Sequence, residues 1–287
     1  MANYREFSVR LASMGGMRRV TSTMKMVAAS HLHRAQVDLR RSEAYGRTLV
    51  NLLSDVQQPH FRNHRLLAEP RQVQNGLLIV VTSNRGLCGA FNSNVARAVK
   101  PWLGANKSRF KILRAAFVGR KGEQLLRHDI ETRGEPFPVA AHPLPAEALR
   151  LARPISQAFL DGRYDEVLLV HNRFVSPLVS HTEVERVLPL VVPPRPAGTR
   201  STPPQIREPD SDRLIEQILL QWFEFRIFEA LLHSVTCEHA ARVVAMDNST
   251  TNLLRLEAEL TLLRNRARQS AITKELAEIV GGAEALA

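Results

Sequence analysis

The fold class predicted by this sequence is an α/β sheet domain inserted between N- and C-terminal helices that pair as a long antiparallel coiled coil. Three observations carry it. The first 58 residues contain no proline. The stretch Ser211 to Val280 contains neither Gly nor Pro. Between them, short apolar runs alternate with amphipathic helical segments, the pattern of a largely parallel sheet covered on both faces.

Residues 1–60 read as the first helix, stopped by Pro59. Met17, Val20, Met24 and Val27 recur at intervals of three and four and predict its inward stripe. Gly15-Gly16 lies inside it, where each glycine costs roughly 1 kcal/mol relative to Ala, so a bend or local fraying is expected there. Residues 75–192 read as the α/β domain. Its strands are "GLLIVVTS" (76–83), "FKILRAAFV" (110–118), "DEVLLVHNRF" (165–174) and "EVERVLPLVV" (183–192). Its helices are "NSNVARAVKPWL", "RKGEQLLRH" and "AEALRLARPISQAFLDG". Residues 193–210, rich in Pro, Ser and Arg, read as a loop.

Residues 211–287 read as the second long helix, capped by Asp210, Ser211 or Asp212 and stopped at Gly281-Gly282. At 1.5 Å per residue such a helix spans on the order of 100 Å, so it must protrude or pair. Leu253, Leu256, Leu260, Leu263 and Ala267 supply a seam at intervals of three and four. Charge favours the pairing: residues 1–60 carry nine Lys/Arg against four Asp/Glu, residues 211–287 eight against eleven. Most of the formal +11 therefore sits in the middle of the chain, as a solvated surface or a footprint for an anionic partner.

The chemistry-bearing residues form no catalytic constellation. "TSNRGLCGAFNSN" (82–94) follows a strand and precedes a helix, but Gly86 and Gly89 are too close for a phosphate loop and no Lys-Ser/Thr follows. The three-glycine dinucleotide fingerprint is missing as well, so a tight structural turn is the better reading. His60 and His64, and His233 and Cys237, are spaced four apart, but neither pair has a third ligand near in sequence. Cys88 and Cys237 are the only cysteines, which excludes a disulfide framework and fits a reducing compartment. No apolar run approaches the roughly 20 residues of a membrane span, and the polar start "MANYREF" is not a secretory signal. No metal, no cofactor and no catalytic residue is expected. Arg264, Arg266 and Arg268, with Gln269 and Lys274, read either as a solvated face or as forked donors to carboxylates of another protein.

The order of motifs is more specific than any of these. "STMKMVAASHLHRAQ" (22–36), "VTSNRGLCGAFNSNV", "YDEVLLVHNRFVS", "VERVLPL", "EHAARVVAMDNST" and "RNRARQSAITKELAEIVGGAEAL" resemble, in sequence order, the motifs of the γ subunit of F-type ATP synthases over nearly the whole chain. The resemblance implies a Rossmann-like α/β domain at the foot of a coiled-coil shaft. The shaft would lie inside a ring of three α and three β subunits, with the ε subunit and the c-ring of the membrane sector at the foot. It implies a non-catalytic rotor that couples ion translocation to ATP synthesis or hydrolysis, peripheral on the cytoplasmic face of the bacterial inner membrane. By motif position it assigns contact with β to Met24, Lys25, Arg242, Arg268, Gln269, Thr273 and Glu275, with Arg268 and Gln269 as a polar catch.

"SMGGMRRVTST" stands where the family usually has a stretch like "SIKNTQKITKA", Asn84 replaces an Asp, and Arg264 replaces a Tyr, the marks of a divergent bacterial branch. The alternatives are a nucleotide-dependent α/β enzyme and a basic coiled-coil nucleic-acid binder. The first lacks a phosphate motif; the second lacks aromatics among its basic residues and has a net acidic last helix. Neither accounts for the order of motifs.

Overall fold

The computed structural model describes residues 4–54, 64–132, 136–191 and 211–284. The expected loop 193–210 and His60 lie outside the described residues. In chain order two long helices come first and last: α1 (Tyr4–Ser54) and α5 (Ser211–Glu284). Between them come β1 (Asn75–Val81), α2 (Phe91–Asn106), a 3-10 turn, β2 (Ile112–Val118), α3 (Arg120–Leu126), β3 (Glu131–Thr132), α4 (Pro145–Leu160), β4 (Glu166–Ser176) and β5 (Val179–Leu188). The chain divides into two compact units, one of residues 29–241 and one of residues 1–28 with 242–287.

In the larger unit the strand order is β3-β2-β1-β4-β5. The first three neighbouring pairs are parallel and β4–β5 is antiparallel. Parallel strands are sandwiched by helices and so read as unbroken apolar runs; all of "GLLIVV" is buried. Successive side chains alternate between faces. Leu78, Val80, Leu168 and Val170 meet Val95, Val99 and Leu103 of α2. Leu77, Ile79, Val167 and Leu169 meet Leu151, Ile155 and Phe159 of α4, Leu49 and Leu53 of α1, and Leu219 and Phe223 of α5.

Strand bounds depart from the sequence reading most at β5, which runs from Val179 to Leu188 instead of over 183–192, and at β3; the other strands shift by one or two residues at their ends. β5 starts at Val179 because it continues a hairpin with β4, whose exposed tip (Val175, Leu178) carries no burial signal. β3, which the sequence reading does not contain, is two residues long and too short to show any periodicity.

The two glycine pairs in the helices also behave differently from expectation. α1 runs unbroken through Gly15-Gly16, and α5 runs through Gly281 and Gly282 to Glu284 instead of stopping there. A glycine inside an established helix weakens it without obliging it to end.

The turn between β1 and α2 is held by bonds among its own residues. Leu87 (φ 62) and Gly89 (φ 55) take left-handed conformations. Ser83 N–H donates to Asn92 Oδ1 at 3.0 Å, and Asn92 Nδ2 donates to Ser83 Oγ at 2.8 Å and to Cys88 Sγ at 3.2 Å. Gly119 (φ 92) passes so close that a Cβ there would stand 2.2 Å from the carbonyl oxygen of Thr82.

Candidate coupling surface

In the smaller unit, the α1 positions with reduced exposure include Phe7, Leu11, Met14, Arg18, Thr21, Lys25 and Ala28, spaced alternately four and three apart. On α5 they include Met246, Thr250, Leu253, Glu257, Leu260, Arg264, Ala267 and Ala271, with the same alternation. That spacing keeps one stripe of each helix facing a partner.

Cross-helix contacts fix who meets whom. Lys25 Nζ lies 2.6 Å from Asp247 Oδ1, the Oγ1 atoms of Thr21 and Thr250 are 2.9 Å apart, and Arg18 Nε lies 3.1 Å from Glu257 Oε2. Residue numbers fall along α5 as they rise along α1, so the two segments run in opposite directions.

The inward stripe is more polar than the sequence reading made it. Leu253, Leu260 and Ala267 do turn inward, and Met24 is half-buried. Met17, Val20 and Val27, however, are 47%, 58% and 52% exposed, and Leu256 and Leu263 also face outward. Their next neighbours Arg18, Thr21, Ala28, Glu257 and Arg264 take the inner places. On α1 three of the four expected apolar positions thus sit one residue away from the inner stripe, while on α5 the expected seam divides, with Leu253, Leu260 and Ala267 inside and Leu256 and Leu263 on faces the chain leaves open. Adding Val9, Met26, Leu254, Leu262, Ile272, Leu276, Ile279 and Val280 gives outward apolar side chains along much of both helices. Extended exposed apolar surface of this kind marks an interaction site.

The seven residues singled out from the sequence fall into two groups. Met24 and Lys25 are adjacent on α1, with Lys25 paired to Asp247 and Arg242 half-buried on α5. Arg268, Gln269, Thr273 and Glu275 are all exposed near the end of α5, and the Thr273 hydroxyl donates to the Gln269 carbonyl at 3.0 Å. The chain does not bring the two groups together. Residues 272–281 are exposed on every side. Sequence reasoning missed Arg18, Thr21, Asp247, Thr250 and Glu257; their signal was the four-three spacing itself, read without regard to polarity.

The larger unit holds a polar cluster that no sequence pattern announces. Arg226 bridges Glu185 and Glu229, and Arg173 pairs with Glu183. His171 and Glu185 line a cavity of about 90 Å³ with their facing atoms 3.9 Å apart. Burial lowers the His171 pKa to about 3 and the His233 pKa to about 4, with neighbouring cations adding to each. Burial raises Glu229 above the usual carboxylate range, against the pull of Arg226. His233 Nδ1 accepts the Phe174 N–H at 3.2 Å, so the imidazole is held in the tautomer that leaves this nitrogen unprotonated. The Cys237 thiol, donating to the Asn172 carbonyl at 3.5 Å, is pushed up to about 12 by burial. These residues pack and brace, and among the described residues no group of three or more His, Cys, Asp or Glu is placed to hold a metal ion.

Comparison with known proteins bears on the family of the chain and on its fold. The family model described as ATP synthase matches residues 3–286. The chain is 35% identical over 286 residues to the ATP synthase gamma chain of Geobacter metallireducens, covering all of this chain and 99% of that one. It is 36% identical to the gamma chain of Geotalea daltonii over 286 residues, with the same coverage. Among solved structures, it is similar to a chain of the Euglena gracilis mitochondrial ATP synthase OSCP/F1/c-ring assembly (TM-score 0.67, 18% identity, 99% of this chain and 94% of that one). It is also similar to a chain of the Tetrahymena thermophila central stalk/c-ring assembly (TM-score 0.58, 23% identity, 80% and 98%).

Proposed function

Since the chain belongs to the ATP synthase gamma chain family, we propose how its geometry serves as the central rotary shaft. It is a non-catalytic subunit of an ion-transporting ATPase complex, and the complex couples ion translocation to ATP synthesis or hydrolysis. The observation that carries the reading is the outward apolar stripe beside a polar inner stripe on paired helices. Such a pair is stabilised more by what encloses it than by its own seam.

In this reading α1 and α5 form an antiparallel coiled-coil shaft, residues 1–60 and 211–287, and the sheet between them, residues 75–192, is a Rossmann-like foot. Three α and three β subunits enclose the shaft, and the ε subunit and c-ring meet the foot. Met24, Lys25 and Arg242 lie against β at the lower contact. Arg268 and Gln269 are the polar catch near the end of α5, with Thr273 and Glu275 beside them. Their exposure leaves their donors and acceptors available to a partner.

Torque transmission needs each β site to see a different face of the shaft in turn, and differential contacts are the only means by which a rotor biases a site between states. The apolar side chains of 276–280 suit a bearing, where strong directional bonds would hold one angle. No described helix is long and apolar enough to cross a membrane; the chain is part of the peripheral F1 sector, on the cytoplasmic face of the bacterial inner membrane.

The test is co-expression of the organism's α and β subunits with and without this chain. Incorporation into a complex of three α and three β, with raised ATP turnover that an Arg268→Ala/Gln269→Ala variant weakens, is the expected result. Normal α–β assembly that never takes up the chain refutes it.

A further inference from the structure

The shaft reading leaves one sequence observation unabsorbed: the strong positive charge of the middle of the chain. Residues 97–131 carry nine Lys/Arg against three Asp/Glu. The fold gathers many of these cations on one layer, because α2 and α3 lie side by side over the same face of the sheet. Lys100 and Lys107 converge on the turn after α3, 3.2 Å from the Asp129 carboxylate and 3.5 Å from its carbonyl. Arg127, capping the end of α3, reaches His128 at 3.1 Å, and Arg97 sits on the exposed face of α2. Lys111 leads into β2 beside them. Arg109 and Arg114 are neutralised by Glu166 and Glu131, and Lys100 by Asp129. Arg97, Lys107, Lys111 and Arg127 are exposed and pair with no carboxylate among the described residues.

Two features decide what such a surface fits. The cations are exposed side chains on separate elements, without the fixed fork geometry by which Arg singles out one carboxylate. The exposed apolar side chain of Leu125 and half-buried Trp102 are interspersed among them. Basic residues mixed with Leu and Trp are the composition of surfaces that lie on an anionic bilayer, the cations at the headgroups and the apolar groups dipping below them. We propose that the α2–α3 layer is an interaction surface for anionic phospholipid headgroups. The proposal rests on charge distribution and not on the shaft assignment, and it concerns surface attachment with no span.

The experiment is sedimentation of the full chain with phosphatidylcholine vesicles, with and without phosphatidylglycerol. One variant removes four cations of the layer (Arg97→Ala, Lys107→Ala, Lys111→Ala, Arg127→Ala). A control removes four exposed cations elsewhere (Arg40→Ala, Arg47→Ala, Arg150→Ala, Arg163→Ala). Urea midpoints near that of the parent chain verify that both fold. The expected result is binding to the anionic vesicles alone, weakened by salt, and lowered about 100-fold or more by the layer variant against little change in the control. Equal loss in both variants refutes the proposal, because it reports net charge only. No vesicle binding, with poly-glutamate captured by the layer, also refutes it and makes the partner an acidic protein. Because the assay contains no other subunit, its failure leaves the shaft reading untouched.

Discussion

Replacing Gly46 by Ala tests the packing of the larger unit against helix propensity, because the two push in opposite directions. Gly to Ala inside a helix is worth about 1 kcal/mol of stabilisation from propensity alone. At Gly46 a Cβ would stand 2.6 Å and 2.8 Å from two atoms of the Phe225 ring. Ordinary carbon–carbon contact is about 3.5–4.0 Å, so the ring must move by roughly 1 Å. Phe225 is buried, edge-on to Tyr45 at 5.5 Å and stacked on Trp222 at 5.7 Å. Overpacking at such a site costs about 1–3 kcal/mol. The ring also borders a groove of about 790 Å³, which gives it some room to yield. Net destabilisation of about 0.5–2 kcal/mol is therefore expected for Gly46→Ala. Gly16→Ala has the opposite sign, with stabilisation of up to about 1 kcal/mol, because nothing lies within 4 Å of its Cβ position. Urea unfolding of the two variants followed by far-ultraviolet circular dichroism reads both, and a Phe225→Leu background should turn Gly46→Ala stabilising. A Gly46→Ala chain more stable than its parent, with Phe225 intact, refutes the packing argument.

Three further outcomes are expected. His171 and His233 have folded pKa values of about 3 and about 4, below the ordinary 6.5. The unfolded chain therefore binds more protons between those values, and stability falls as pH drops from about 7 towards 4. Glu229, raised by burial, opposes this by gaining stability as pH falls. A His171→Asn/His233→Asn variant should flatten the slope of unfolding free energy against pH. Cys237, buried and pushed up to about 12, should resist an aromatic disulfide reagent at pH 8 in the native chain and react in urea. Replacing both Thr21 and Thr250 by Val should leave the helix pair as stable or more so, because both partners of one polar contact are removed together; either single change should cost about 1 kcal/mol, read by urea unfolding.

Much of the architecture was legible because it rests on local signals. Unbroken helix formers, buried apolar runs and the turn residues around Gly86 and Gly89 are all properties of short windows. What escaped was decided by neighbours distant in sequence. The inner stripe of α1 lay one residue away from the apolar one because apolarity signals burial without saying against what. Val20 and Val27 are exposed, while Arg18 and Thr21 face α5. β3 was missed because two residues carry no periodicity. β5 begins earlier than its apolar run because cross-strand pairing, not burial, holds the hairpin tip, where Ser176 pairs with Val179. The seven candidate contact residues came from motif resemblance; no periodicity or charge pattern distinguishes exposed Arg268 from exposed Arg266.

The exposed final stretch of α5 bears on the order in which such an assembly is completed. Residues 272–281 have no other part of the described chain against them, so their helix is held by local hydrogen bonds and the Lys274–Glu278 pair alone. A segment this short would not stay helical by itself; it does so as an extension of a longer helix, spared the cost of nucleation. Its last turns should fray and re-form on the submicrosecond timescale of helix–coil relaxation until a receiving surface captures them. Maturation of the tip is then a bimolecular event: its final ordering waits on encounter with another chain.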